Sequence, residues 1–236
     1  MNSVIRFALS LWFFWGLHSL ALAAPKFEDT MAQRTLACTA CHGEQGKAGP
    51  DGYYPRLAGK PAGYLHHQLQ NFREGRRHYP LMQGLIDTLD DAYLQAIATH
   101  FSSLSVPYPA PKPSTASAAL LEQGRLLATQ GRAESGIPAC TQCHGKELMG
   151  VNPDTPGLLG LPADYLNAQL GGWRTGQRHA VSPDCMAKIA KLLGESDVNA
   201  VAQWLSSQAV PANAHPADKK PAATSATIEM QCGSAP

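Results

Sequence analysis

The sequence has little charge and almost no excess of either sign. Of its 236 residues 16% are charged, and 19 lysines and arginines nearly balance 18 aspartates and glutamates, which gives a formal net charge of +1. A basic surface for nucleic acid and a long acidic tail are therefore both missing. Since 44% of the residues are hydrophobic, the composition is that of a globular protein. The chain is long enough for one large domain or two domains of ordinary size.

Long apolar runs are missing everywhere except near the start of the sequence. Residues 1–23 combine a short segment containing Arg6, the apolar run FALSLWFFWGL and the small residues Ala21 to Ala23, which suit a signal peptidase. We predict that residues 1–23 are a cleaved signal peptide and that the mature protein is periplasmic. An uncleaved membrane anchor is the alternative, although the run is short for a bilayer crossing.

Strand-like alternation of apolar and polar residues is almost absent as well. Apolar residues instead recur at helical spacing, as at Leu65, Leu69 and Phe72, and Gly75 is placed to end that helix. A second apolar stripe follows Asp90, a residue type favoured at helix starts. The sequence therefore predicts an all-α fold.

Cysteine is scarce too, but four of the six cysteines form a repeated pattern. The motif Cys-x-x-Cys-His occurs twice, as CTACH over residues 38–42 and as CTQCH over residues 140–144. Cys185 and Cys232 lie outside both motifs. In an oxidising compartment such spare cysteines tend to pair.

The two motifs belong to an internal duplication. The 24 residues that start at Pro55 match those that start at Pro156 at 13 positions without a gap. A fixed repeat of this length predicts two similar structural units. Beyond the signal peptide we predict a first domain over 26–105, a proline-rich linker over 106–117, a second domain over 118–209 and an irregular tail over 210–236. Gly124, on the apolar face of a predicted helix in the second half, would let another helix approach closely.

Three kinds of chemistry compete for the repeated motif. A thioredoxin-like redox pair expects alternating strands and helices, which the sequence lacks. A zinc site that pools both cysteine pairs leaves the histidines unexplained. Covalent haem attachment explains every position, because two thiols one helical turn apart add to the two vinyl groups of one haem and the next residue then lies under the iron. We predict two covalently bound haem c groups, with His42 and His144 as iron ligands.

The second face of each iron needs a ligand as well. Met82 and Met186 occupy equivalent places, 40 and 42 residues after the motif histidines, in sequence typical of loops. We predict these two methionines as the sixth ligands. His78 and His179, which are also equivalent, are the alternatives, and we expect them at the surface instead. A neutral thioether favours ferrous iron and raises the reduction potential relative to a second histidine.

Together these features resemble the dihaem cytochromes c of the cytochrome c4 type, which are two class I cytochrome c domains in tandem. The resemblance covers about residues 27–207. It rests on the CxxCHG motifs, the segments PRLAGKPAGYLHHQL and PGLLGLPADYLNAQL, an Arg-x-Gly-x-Arg segment, the distal methionine and a terminal helix.

The resemblance implies a role for each matching residue. Thioether links would form at Cys38, Cys41, Cys140 and Cys143. Proximal ligands would be His42 and His144, and distal ligands Met82 and Met186. The carbonyls of Pro55 and Pro156 would accept a hydrogen bond from the proximal imidazoles. Four arginines would pair with haem propionates, line the contact between the domains or lie on solvated faces, namely Arg73, Arg77, Arg174 and Arg178.

Two features depart from the family pattern. The segment GRAESGIPAC before the second motif is longer than expected. Cys185 directly precedes Met186, and a Cys185–Cys232 disulfide would hold the tail beside the second haem. Two free thiols, or Cys185 replacing Met186 as iron ligand, are the alternatives.

The resemblance implies an electron carrier and not an enzyme. It would pass electrons between a respiratory complex or dehydrogenase and a terminal oxidase or another acceptor, with redox proteins as partners and no nucleic acid. Peripheral association with the membrane stays open. One alternative is a haem enzyme, a dihaem peroxidase or a thiosulfate-oxidising cytochrome, which needs an open axial position. The other is a dedicated cytochrome subunit of one dehydrogenase.

Overall fold

The computed structural model of the chain describes residues 28–49, 52–111, 113–225 and 227–235. The predicted signal peptide lies outside these ranges. The described part contains ten α-helices, two single turns of 3-10 helix and one short hairpin. The predicted all-α fold is confirmed.

The first half is built from five helices. The aspartate predicted at a helix start, Asp90, accepts a hydrogen bond from the backbone N–H of Tyr93, 2.7 Å away, and so begins the last of them. Gly75, at a φ of 76°, follows the third helix, as expected of a helix-ending glycine. The helices are α1 (Met31–Arg34), α2 (Leu36–His42), α3 (Ala62–Arg73), α4 (Pro80–Ile86) and α5 (Asp91–Ser103).

The second half repeats this plan with a hairpin added after its CxxCH helix. The strands β1 (Gly150–Val151) and β2 (Thr155–Pro156) run antiparallel, with Gly150 opposite Pro156. The side chain of Asp184 accepts from the backbone N–H of Ala187 at the start of the fourth helix. The helices are α6 (Ala118–Thr129), α7 (Cys140–His144), α8 (Ala163–Thr175), α9 (Cys185–Leu192) and α10 (Glu195–Ser207).

Each half has its own hydrophobic cluster. The first cysteine of each CxxCH motif, Cys38 or Cys140, packs against the cluster of its half. The first cluster includes Leu65, Phe72 and Phe101 from α3 and α5. The second includes Leu127 and Leu205 from α6 and α10. The duplicated helices therefore bury equivalent apolar stripes, and the cavity described below opens beside both clusters.

The linker and the tail have no helix among their described residues, but both are held against the domains. Arg56 donates to the backbone carbonyls of Val106 and Pro107, and its guanidinium lies 3.8 Å from the ring centre of Tyr108. In the tail, the backbone of Ala217 exchanges hydrogen bonds of 2.8 and 2.9 Å with the β1 segment. Apart from an isolated bridge at Ala217, the described residues of both segments are irregular, and these contacts hold both segments against the domains.

None of the helices in the described ranges combines the length and the apolar character needed to cross a bilayer.

Gly124 in α6 faces α10 at close range. A β-carbon at this position would lie 2.1 Å from the carbonyl oxygen of Ala200, which is closer than any real contact. The predicted close helix approach is therefore confirmed.

We expect Gly124→Ala to lower the free energy of unfolding by about 1–3 kcal/mol, because the two helices must separate. Gly171→Ala is the matched control, since Gly171 also lies in a helix but has nothing within 4 Å of the added carbon. The control should be neutral or stabilising by up to about 1 kcal/mol. Denaturant unfolding of both variants measures the difference, and equal effects would contradict the packing argument.

Candidate functional site

Both CxxCH motifs lie on short helices that end at the histidine. The first motif fills the last turns of α2 and the second forms α7, so the two thiols of each motif sit one turn apart. Each helix is followed by a glycine at positive φ, 76° at Gly43 and 84° at Gly145, where the chain turns away. All four thiols are unbridged. The motif therefore presents two thiols and one imidazole to the same side, as haem attachment requires.

Each motif histidine is buried and oriented by a proline carbonyl. Nδ1 of His42 lies 2.8 Å from the oxygen of Pro55, and Nδ1 of His144 lies 2.7 Å from that of Pro156. A carbonyl only accepts, so Nδ1 carries the proton and Nε2 keeps its lone pair for a metal. Burial lowers the pKa of both imidazoles, which favours the neutral, ligating form. The structure thus has the hydrogen bonds that the resemblance implied.

Both sites open into one continuous cavity of about 1190 Å³. Its walls include the cysteines and histidines of both motifs and apolar side chains of both cores, among them Phe72, Ile97 and Leu166. Among the described residues, no three cysteine, histidine or acidic side chains come close enough to hold a metal ion. The zinc alternative, which pools both cysteine pairs, therefore finds no site there.

Met82 and Met186 both line this cavity. They lie on helices α4 and α9 and not in loops, so the loop-like character expected from the sequence is wrong. Pro80 explains α4, since proline is favoured at the first helical position, and Asp184 caps α9. The rigid helices hold both thioethers near the cavity, but ligation itself stays a prediction.

His78 and His179 are exposed, as expected. Their backbone N–H groups donate across the boundary between the halves, to the carbonyls of Gln177 at 3.3 Å and Arg76 at 2.6 Å. Both residues therefore belong to the contact between the halves.

Two arginines and two glutamines connect the halves in a symmetric cluster. Arg77 donates to Oε1 of Gln68 at 3.1 Å and of Gln169 at 2.7 Å. Arg178 donates to the same two oxygens, at 2.9 Å and 2.6 Å. Burial and the charge of Arg77 lower the pKa of Arg178 to about 10. Among the described residues neither arginine forms a salt bridge with a carboxylate.

The donor set fits haem. Haem is a large apolar plate with an iron that takes two axial ligands and with two carboxylates on its edge. The cavity supplies apolar walls, thiols beside an available imidazole nitrogen, a methionine in each half, and Arg77 and Arg178 lacking acidic partners. Arg73 differs, because it pairs with Asp91 at 3.2 Å.

The tail lies at the second half of this site, where the disulfide considered from the sequence would hold it. Cys185 and Cys232 form a disulfide in the structure, with their Cα atoms 5.3 Å apart. Ile228 exchanges hydrogen bonds of 2.6 and 3.1 Å with the side chain of Gln142, inside the second motif. Tail residues including Thr227 and Ile228 line the second half of the cavity. The one signal for this arrangement was a cysteine in an otherwise featureless tail.

The first half lacks such a cover in the described part of the chain. Three large side chains that line its side of the cavity are mostly exposed, with relative exposures of 62% at Tyr53, 64% at Leu81 and 52% at Leu85. The duplicated sites are therefore equivalent in their ligand geometry but unequal in their surface.

Comparison with known proteins gives consistent matches. The family model described as "Cytochrome c" matches residues 30–105. A protein named "Thiosulfate dehydrogenase electron acceptor" from Thiomonas intermedia is 39% identical over 81% of this chain and 88% of its own length. "Cytochrome c4" from Pseudomonas aeruginosa is 32% identical over 87% of this chain and 98% of its own length. The crystal structure of reduced cytochrome c4 from Pseudomonas stutzeri superposes with a TM-score of 0.64 at 31% identity, covering 75% of this chain and 95% of that one.

We expect the mature protein, unfolded without reductant, to show no reactive thiol, because the predicted haem attachment would hold four sulfurs in thioethers and the disulfide holds the other two. Cys232→Ser should show one reactive thiol, from Cys185. Thiol titration with a chromogenic disulfide reagent measures both. Two reactive thiols in the unsubstituted protein would exclude the disulfide.

Proposed function

The chain belongs to the cytochrome c4 family of electron-transfer cytochromes, and we propose that it works in the periplasm as a carrier that accepts electrons from a dehydrogenase. Members of the family carry two covalently attached haem c groups. The iron of each haem alternates between the ferrous and ferric states. The observation that supports the proposal most strongly is the repeated geometry: a buried imidazole on a proline carbonyl and a cavity-lining methionine, once in each half.

We assign the holding residues half by half. In the first half, Cys38 and Cys41 would form the thioether links, and His42 and Met82 would bind the iron. In the second half the corresponding residues are Cys140, Cys143, His144 and Met186. Pro55 and Pro156 fix the orientation and tautomer of the imidazoles through the hydrogen bonds measured above.

These side chains act by holding positions constant. An imidazole fixed through Nδ1 and a methionine on a helix would give the iron the same ligands in both oxidation states. Little rearrangement of the protein would then accompany electron transfer. The thioether favours the ferrous state and raises the potential. With an imidazole and a thioether as ligands in each half, small molecules would find no open coordination site, which would distinguish a carrier from a peroxidase.

The electron donor is the finer part of the proposal. The relative from Thiomonas intermedia is named for accepting electrons from a thiosulfate dehydrogenase. Its identity of 39% exceeds the 32% of the Pseudomonas aeruginosa cytochrome c4. We therefore propose a thiosulfate-oxidising dehydrogenase as the donor and a terminal oxidase or another carrier as the acceptor. This choice favours the dedicated electron acceptor among the alternatives, with the oxidation of thiosulfate left to the partner enzyme.

Replacement of the methionines tests the axial ligands. We expect Met82→Leu and Met186→Leu each to open one iron, so that the reduced protein rapidly binds one equivalent of carbon monoxide. Met149→Leu is the matched control, because Met149 is a buried core residue at 4% exposure, and it should leave both irons closed. Rapid binding by the unsubstituted protein would contradict the carrier proposal.

Stopped-flow spectroscopy tests the donor. We expect thiosulfate and a thiosulfate dehydrogenase together to reduce both haems, whereas thiosulfate alone leaves them oxidised. Reduction by thiosulfate alone would make the chain itself the enzyme. Absence of reduction with the dehydrogenase present, while a chemical reductant still works, would exclude this donor.

A further inference from the structure

Lys60 is a buried cation that crosses from the first half into the second. It lies just before α3, its side chain is 4% exposed, and its Nζ donates to the backbone carbonyl of Gly157 at 2.7 Å. The sequence pattern gave no role to this residue. Burying an ammonium group costs free energy. A buried lysine that donates only to a carbonyl of the other half is therefore unusual.

The duplication shows that the equivalent position of the second half is filled without a cation. In the gapless alignment from Pro55 and Pro156, Lys60 corresponds to Leu161, which is 7% exposed and belongs to the second hydrophobic cluster. A leucine therefore fills the same place in the same turn of the other half. The lysine is a specific feature of the first half.

Nothing in the described part of the chain neutralises the ammonium. No carboxylate of the described residues lies within salt-bridge distance of Lys60. Burial, and secondly the positive charge of Arg56, lower its pKa to about 7. Below that pKa Lys60 carries its charge into the protein interior with no carboxylate of the described residues beside it, where electrostatic interactions act over longer distances than in water.

The hydrogen-bonded end of Lys60 lies at the loop that orients the second imidazole. Gly157 follows Pro156, whose carbonyl accepts the Nδ1–H of His144 at 2.7 Å. Lys60 and Gly157 line the same cavity as His144, and the lysine charge contributes to lowering the pKa of that imidazole. A positive charge here opposes the gain of positive charge when the second iron is oxidised. No lysine reaches the corresponding loop of the first half, since the equivalent residue is Leu161. The cation that contributes to lowering the pKa of His42 is instead Arg77 of the symmetric cluster.

We propose that Lys60 is a positioning residue of the first half that raises the reduction potential of the second haem and so directs electrons from the first haem to the second. One electron moves in this step: the first iron is oxidised from ferrous to ferric, the second is reduced from ferric to ferrous, and no bond or proton is exchanged. The inference rests on the proposed function, in which His144 binds the second iron.

The test is a redox titration of the intact dihaem protein and three variants at about pH 6, below the pKa of Lys60. Lys60→Leu installs the residue of the other half, Lys60→Gln keeps a donor for the Gly157 carbonyl but removes the charge, and Lys60→Arg keeps the charge. Lys47→Leu removes an exposed lysine as the control. NMR separates the two haems, and the haem whose methionine signals vanish in Met186→Leu is the second.

We expect Lys60→Leu and Lys60→Gln to lower the potential of the second haem relative to the first. The equilibrium ratio of electrons on the second haem to electrons on the first should fall about tenfold, which corresponds to about 59 mV for a one-electron couple. Lys60→Arg and Lys47→Leu should leave the difference unchanged. If Lys60→Leu fails to fold, by helix content and haem content, the Gln and Arg variants carry the comparison.

Three results would overturn the inference: unchanged potentials in Lys60→Gln, equal shifts of both haems, or a shift of the same size in Lys47→Leu. Each of these leaves a protein with two haems and methionine ligation, so the proposed function would stand. A protein with fewer than two covalent haems, or without methionine signals, would instead contradict the proposed function itself.

Discussion

The hydrogen bond between each buried imidazole and a proline carbonyl is the constraint on which the sites depend. Because the carbonyl only accepts, it places the proton on Nδ1 and leaves Nε2 available on the cavity side. The proline comes from the segment that follows the CxxCH helix, which is a loop at Pro55 and strand β2 at Pro156, so helix and segment must pack in one arrangement. The apolar cluster of each half supports that arrangement, and the duplication repeats it.

Duplication supplies two similar sites, and a few residues make them different. The cluster of Arg77, Arg178 and two glutamines preserves the symmetry, because each arginine donates to both glutamine oxygens. Lys60 breaks it by entering the second half, and the tail breaks it by covering the second site. The shared geometry holds the ligands, while the unshared residues can tune each site separately.

The sequence was sufficient for those parts of the fold that depend on local spacing. The two CxxCH motifs, the helical stripes, the helix start at Asp90 and the close approach at Gly124 all follow from residues that are near one another in the chain. The sequence did not reveal that the methionines lie on helices, because their flanking residues, such as Pro80 and Asp184, are typical of loops as well as of helix starts. The reach of Lys60 to Gly157 depends on how the halves dock, which no local pattern encodes.

The disulfide between Cys185 and Cys232 has a consequence for biogenesis. Synthesis runs from the N-terminus to the C-terminus, so the tail is the last segment of the second site to be made. The thiols of Cys140 and Cys143 must stay reduced until they are consumed by thioether formation, whereas the tail requires an oxidation. Because Cys232 lines the same cavity as the second motif, its pairing with Cys185 has to leave Cys140 and Cys143 unbridged, as they are in the structure. The proposed thioethers and the disulfide would thus place two different fates of cysteine, one needing free thiols and the other an oxidised pair, within one site.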